Sequence, residues 1–190
     1  MNEAHLQFLA SPDWARTIET ELLPWVLGVA DLGDDVLEIG PGPGLTTDAL
    51  RQHVARLTAV ELDDGLAGAL SDRLAGSNVA VLHVDATESG LASDRFSAVT
   101  CFAMLHHMPS PALQDRLFAE VHRMLLAGGA FIGTDSIDSE PIRAGHADDI
   151  FVPVDPGTLP SRLQGVGFTD VSVDPGEYQF RFHARKPPGP

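Results

Sequence analysis

The stretch Val36-Leu37-Glu38-Ile39-Gly40-Pro41-Gly42-Pro43-Gly44-Leu45-Thr46-Thr47 sets an apolar run against three glycines at alternate positions. A strand that runs into glycines and then a helix is the architecture of a nucleotide site, with the ligand over the carboxyl end of the strand. The loop itself narrows the choice of ligand. A dinucleotide fingerprint needs Gly-x-Gly-x-x-Gly, and counted from Gly40 the sixth position is Leu45. A phosphate cradle wants successive free N–H groups and no nearby anion. Pro41 and Pro43 each remove a donor, and Glu38 is expected to place a carboxylate at the mouth of the loop. Such a loop suits a ligand with a positive group and no phosphate, and its glycines let the backbone approach closely.

Around this stretch, β-branched runs alternate with segments of helical period, the pattern of βαβ units and a parallel sheet. Strands are expected at VLEI, RLTAVEL, VAVLHVDA, FSAVTCF, AFIGTD, FTDVSV and EYQFRFHA. Helices are expected over Pro12 to Ala30, Thr46 to Arg56, Asp64 to Ala75, Ala112 to Leu126 and Gly157 to Gly165. Leu113, Leu117, Val121 and Met124 form an amphipathic stripe, which Ala127-Gly128-Gly129 should end as a glycine cap. Asp174-Pro175-Gly176 leaves only a tight turn between the last two strands, so they should be antiparallel. The expected fold is α/β, a three-layer αβα Rossmann-like sandwich. Its seven-stranded, mostly parallel sheet ends in a C-terminal antiparallel hairpin. Residues 1–190 form one domain, with a helical segment at 1–30, a substrate lid at 136–156 and a frayed tail at 186–190.

With 190 residues, 44% of them hydrophobic, the chain can bury one sizeable core. Its net charge of -15, with only 12 Lys and Arg, argues against a nucleic-acid partner, since phosphate affinity needs clustered cations. There is no leader-like start and no long apolar span, so no membrane partner is expected and the protein is placed in the cytoplasm. The single cysteine, Cys101, excludes an internal disulfide and most thiolate metal sites. Its apolar surroundings, AVTCFAML, suggest a small buried hydrophobe.

Two further acids extend the pattern begun by Glu38. Glu61 ends the second strand about twenty residues after the loop, where an acid can accept both ribose hydroxyls. Asp85 ends the third strand, placed to accept from an exocyclic amine of adenine. Singly, such acids are often helix caps. Three of them ending successive strands beside a glycine loop point to one site.

The ordered set VLEIGPGPG, AVELDD, HVDAT, FSAVTCFAMLHHM and EVHRMLLAGGAFIGTDS resembles the motifs of class I S-adenosylmethionine-dependent methyltransferases. The resemblance runs from about Val36 to Asp135 and on through the terminal hairpin. It implies a seven-stranded methyltransferase fold with S-adenosyl-L-methionine as cofactor. By family position, Glu38, Gly40, Gly42 and Gly44 would hold the amino acid half, Glu61 the ribose and Asp85 the adenine. Leu62 and Ala86 would line the adenine pocket, with Phe102 and Ala103 near the methionine moiety.

Methyl transfer is an in-line displacement, so the protein mainly supplies alignment and a deprotonated acceptor, while the cofactor brings the reactive group. A hydroxyl acceptor benefits from a base. In some small-molecule methyltransferases with a motif similar to AMLHH the first histidine takes that role, which points to His106 as the catalytic residue. Such histidines also hold the loop together. The polar segment after the fifth strand suits a lid. His146, Asp148 and Asp149 within it resemble a metal cluster, but solvated carboxylates are the default and no metal is expected. Trp14 and Arg16 are candidates to cover the cofactor, although a helix Trp is commonly a packing residue.

The expected activity is methylation of a small molecule, at oxygen, by a monomer or homodimer. EIGPGPGLTTDAL followed by LTAVELDDGLAGAL also resembles the ribosomal RNA adenine dimethyltransferases. Those enzymes need an Asn-Leu/Ile-Pro-Tyr/Phe motif to grip a flipped base, and the corresponding positions here are Cys101-Phe102-Ala103-Met104. A third reading is a non-catalytic S-adenosylmethionine-binding protein, acting as a sensor or partner subunit.

Overall fold

The computed structural model describes residues 2–189; Met1 and Pro190, the ends of the expected helical segment and tail, lie outside the described residues. Seven strands form one sheet: β1 (Asp35–Ile39), β2 (Arg56–Glu61), β3 (Val79–His83), β4 (Phe96–Phe102), β5 (Leu125–Ser136), β6 (Thr169–Pro175) and β7 (Gln179–Arg185). Their spatial order is β3-β2-β1-β4-β5-β7-β6. β1 to β5 run parallel, and β7 pairs antiparallel with both β5 and β6. This is the expected mostly parallel sheet with its terminal hairpin. The order reverses direction at β1, between its neighbours β2 and β4, which is where an open α/β sheet leaves a crevice.

Strand alternation sorts the core onto two faces. Leu37 and Ile39, Val99 and Cys101, and Phe131 meet α6 (Pro111–Met124) and α8 (Leu159–Val166) on one side. Val36, Ala98, Ala130 and Ile132 meet the N-terminal helices and α4 (Leu45–Leu50) on the other. α5 (Asp64–Arg73) and its C-cap add a small cluster of Leu70 and Leu74 against Ala59. Cys101 is fully buried among these residues.

Several element ends differ from expectation, each for a local reason. The chain begins with an unforeseen helix, α1 (Glu3–Leu9), whose N-cap Asn2 side chain accepts from the His5 N–H. The long helix expected next is three pieces: α2 (Pro12–Thr17), a π-helical turn at Ile18–Leu22, and α3 (Leu23–Val29). Pro24 explains the wide turn, because its ring lacks an N–H and would collide with a carbonyl one α-turn earlier. α4 stops at Leu50, where the Asn78 amide takes the carbonyls of Arg51 and Val54 at 2.8 and 2.9 Å. Ala127-Gly128-Gly129 does not cap α6. That helix ends at Met124, Leu125 is already extended, and the glycines form a bulge where the β4–β5 register slips.

A bulge also interrupts β6, the outer strand of the hairpin, between Thr169 and Ser172, with Asp170 at φ 50°. The expected lid carries α7 (Glu140–Gly145) and returns to the body through Val152, whose N–H donates to the His106 carbonyl at 2.7 Å. Lys186, the first residue of the expected frayed tail, is held in place: its ammonium donates to Asp94 at 2.6 Å and to the Leu125 carbonyl at 2.8 Å. Among the described residues no helix is long and apolar enough to cross a membrane.

Candidate active site

A cavity of about 490 Å³ opens over the carboxyl ends of β1 to β4. Its floor is Gly40, Pro41 and Pro43 of the glycine loop, and one wall carries Glu61, Leu62, Asp85 and Ala86. Phe102, Ala103 and Met104 form the opposite wall. Leu6 and Leu9 of α1 and Trp14 of α2 cover it, and His107, Met108, Asp149 and Ile150 close the far end. No lysine or arginine lines it among the described residues.

Gly40, Glu61, Leu62, Asp85, Ala86, Phe102 and Ala103 thus meet at one cavity, whereas Glu38, Gly42, Gly44 and His106 are absent from its lining. The Glu61 carboxylate accepts the N–H groups of Leu62 and Asp63 through Oε1 and that of Gly42 through Oε2, at 2.9 to 3.0 Å. A carboxylate offers about four acceptor positions, so three backbone donors leave room for a ligand hydroxyl. Asp85 Oδ1 is held by the N–H and hydroxyl of Thr87, both at 2.8 Å, which fixes the direction of its second oxygen. Leu62 is 67% exposed, an apolar wall of the kind that awaits a flat ligand. Ala103 sits at φ 50°, a conformation costly for a side chain and concentrated at functional sites.

Glu38 is not at the loop mouth. It shares the face of Val36 on β1, is 1% exposed, and accepts the hydroxyls of Thr46 and Thr47 at 2.5 and 2.6 Å. Burial pushes its carboxyl up to about 7, with the threonine hydroxyls opposing and Asp48 and Glu61 adding to the rise. It anchors the first turn of α4 from beneath. Gly44 likewise serves packing. A Cβ there would strike Leu70 Cδ1 and Arg73 Nη2, and Arg73 reaches from α5 to Asp48 and to the carbonyl of Pro43. At Gly42, φ is +55° and the nearest atom to an added Cβ is Leu9 Cδ1 at 4.0 Å. Since Leu9 lines the cavity, a larger side chain would grow into the ligand's space.

His106, the expected base, does not face the open edge. It is fully buried, and both its backbone N–H and its Nδ1 are engaged by Asp135. Its neighbour His107 is the imidazole on the cavity wall, and burial, with His106 and His5 nearby, lowers it to about 3. Trp14 does cover the cavity, while Arg16 points away and pairs with Asp13 at 2.7 Å. His146 is buried and Asp148 exposed, and among the described residues the ligand group that includes His146 contains neither Asp148 nor Asp149, so the expected trio does not assemble. The cover formed by α1 was missed, because its only signal is the short spacing of Leu6 and Leu9.

The sequence pattern of the methyltransferase-domain family matches residues 37–133, just over half of the chain. A ubiquinone biosynthesis O-methyltransferase from Pseudomonas aeruginosa is 31% identical over 146 residues, 69% of this chain and 61% of that protein. The chain therefore spans about three-fifths of the length of such relatives. A ribosomal RNA small subunit methyltransferase A from Deinococcus radiodurans is 44% identical over 61 residues, 32% of this chain and 21% of its own. The N-methyltransferase NodS from Bradyrhizobium japonicum, solved with S-adenosyl-L-homocysteine, aligns over 95% of this chain and 91% of that one. Its TM-score of 0.75 at 19% identity shows a common fold. With the glycine loop, the acids at the end of β2 and just past β3 and the 3-2-1-4-5-7-6 sheet in place, the chain belongs to the class I S-adenosylmethionine-dependent methyltransferases.

Proposed function

We propose that this protein binds S-adenosylmethionine in the cavity and methylates a small molecule at oxygen. The observation that carries the reading is the cavity wall itself. Glu61 and Asp85 stand on the wall together with Leu62 and Ala86, and among the described residues no lysine or arginine lines it to attract a phosphate. Glu61 would orient the ribose, Asp85 the adenine amine, and the Gly40–Gly42 backbone the amino acid end. When bound, the cofactor supplies an electrophilic methyl group. The chain's own part is alignment and exclusion of water, through Leu6, Leu9 and Trp14 above and Phe102 and Met104 beside.

The acceptor end is mostly apolar, with His107 and Asp149 as the polar groups able to orient a hydroxyl. Oxygen as target is supported by the O-methyltransferase similarity over 69% of the chain. His106 carries no base role in this reading, since it is sealed from the cavity. Cys101-Phe102-Ala103-Met104 in place of a base-gripping motif, with the charge of -15, disfavours an RNA acceptor.

The test is release of the demethylated cofactor over a panel of hydroxyl, carboxyl and amine acceptors, with calorimetric binding alongside. Hydroxyl turnover is expected. Turnover confined to amines would overturn the oxygen assignment, and tight binding without any turnover would favour a sensor. Gly42→Val should abolish cofactor binding, and its branched side chain at φ +55° should also lower stability; undiminished affinity in the folded variant would move the site elsewhere.

A further inference from the structure

Four of the chain's eight histidines converge beside the cavity. His5 comes from α1, His106 and His107 from the turn after β4, and His146 from the end of α7. Each offers a ring nitrogen, and these four atoms lie within 4.8 Å of one another. The six ring-to-ring separations run from 4.2 Å for His106–His107 to 6.1 Å for His5–His106. Four imidazoles around one ion at the usual zinc–nitrogen length of about 2.0–2.1 Å would have ring centres about 5 Å apart.

The hydrogen bonding of these rings sharpens the point. His5 Nδ1, His106 Nε2, both nitrogens of His107 and His146 Nε2 are buried without a hydrogen-bond partner. Buried polar atoms without partners are rare in native structures, and an unplaced ion or water is a standard cause. The opposite nitrogens of two of the rings are engaged in the way metal-bound histidines are. His106 Nδ1 is paired with the buried Asp135 carboxylate, and His146 Nδ1 lies 2.7 Å from the Ile142 carbonyl. Such outer contacts fix the tautomer so that the other nitrogen presents its lone pair.

We infer that His5, His106, His107 and His146 bind one first-row divalent transition-metal ion, of the zinc class. An all-imidazole set suits zinc, nickel, cobalt or copper and not magnesium or calcium, which take oxygen. Asp135 behind His106, and Asp149, 3.8 Å from His107 Nδ1, lie near enough to offset the ion's charge. Four protein ligands make a closed, structural centre. Its consequence is mechanical. Three segments far apart in sequence, the cover helix α1, the β4 turn and the lid, are held by one ion, so metal binding closes the cavity from two sides.

The experiment uses tag-free protein, dialysed against chelator and titrated with Zn²⁺ by calorimetry, and with Co²⁺ by visible absorption. One ion per chain is expected, with the intense bands of four-coordinate Co²⁺ and a raised melting temperature. X-ray absorption of the zinc-loaded wild type should show nitrogen ligands with imidazole scattering and no sulfur. His5→Ala and His146→Ala, both outside the sheet, should weaken binding more than about 100-fold, and Asp135→Asn by about 10–100-fold. His53→Ala, at an exposed position away from the cluster, should bind as the wild type does. No stoichiometric uptake, uptake that survives His5→Ala together with His146→Ala, or a ligand sphere without imidazole would each overturn the assignment. The wild-type spectra decide the matter even if a variant fails to fold.

Discussion

At Glu38 a carboxyl group is 1% exposed and has two threonine hydroxyls as its donors. Two hydrogen bonds do not offset full burial, so its pKa is raised to about 7. The linkage has a definite sign. Below the unfolded value near 4.5 the group is protonated in both states, and the stability it contributes is fully present. As pH rises from there through about 7, the unfolded chain ionises more readily and that stability is lost. Glu38→Gln should therefore be close to wild type in stability at pH 4.5 and more stable at pH 8, by up to about 3 kcal/mol. Urea unfolding across that range checks this, and parallel pH profiles for the two proteins would refute it. The presence of an acid before the glycine loop was legible in the sequence, but its location was not. Whether Glu38 faces the ligand or α4 depends on the phase of β1, and that is settled by which neighbours of Val36 find a core. His106 and His107 pose the same problem, since adjacent residues in a tight turn exchange roles on a small rotation. Glu61 ends β2 and Asp85 lies two residues past β3, both on the cavity wall, so their place beside the crevice was legible from strand position.

Among elements, the contact of α4 with α5 places its own demand on the glycine loop. Gly44, at φ +88°, is where the two helices meet, and a methyl group there would strike Leu70 and Arg73. Gly44→Ala should cost about 1–3 kcal/mol from backbone strain and overpacking, with a smaller effect on cofactor affinity than Gly42→Val. Denaturant unfolding and calorimetry on the same preparations separate the two; unchanged stability in Gly44→Ala would remove the packing role. The strands and α5, α6 and α8 were legible because hydrophobic period and punctuation agree there. α1 was not, since seven residues are too few to show a period, and its stability comes from the Asn2 cap and the fit of Leu6 and Leu9 over the cavity. The π-helical turn before Pro24 follows from a steric conflict that a periodicity scan does not register. Ala127-Gly128-Gly129 has the composition of a helix cap, yet the register of β5 against β4 claims it for a bulge.

For the whole molecule, cofactor binding and folding are coupled by mass action. A ligand held only by the folded state at about 100 times its Kd adds about 2.7 kcal/mol, which for a chain of this size raises Tm by about 5–10 °C. S-adenosylmethionine and its demethylated product should both give shifts of this order in a thermal melt, and adenosine monophosphate little, because no lysine or arginine lines the cavity among the described residues. Equal shifts with all three would contradict the electrostatic reading of the site. The sheet's far edge carries a different consequence. β6 is the outermost strand, and an open strand edge is a template on which another polypeptide can add. Here it is bulged after Thr169, twisted at Asp170, acidic again at Asp174 and closed by Pro175, which has no N–H to give. In a chain of net charge -15, that border repels its own copies. The molecule is guarded against growth into strand-by-strand aggregates at the end of the sheet farthest from its cavity.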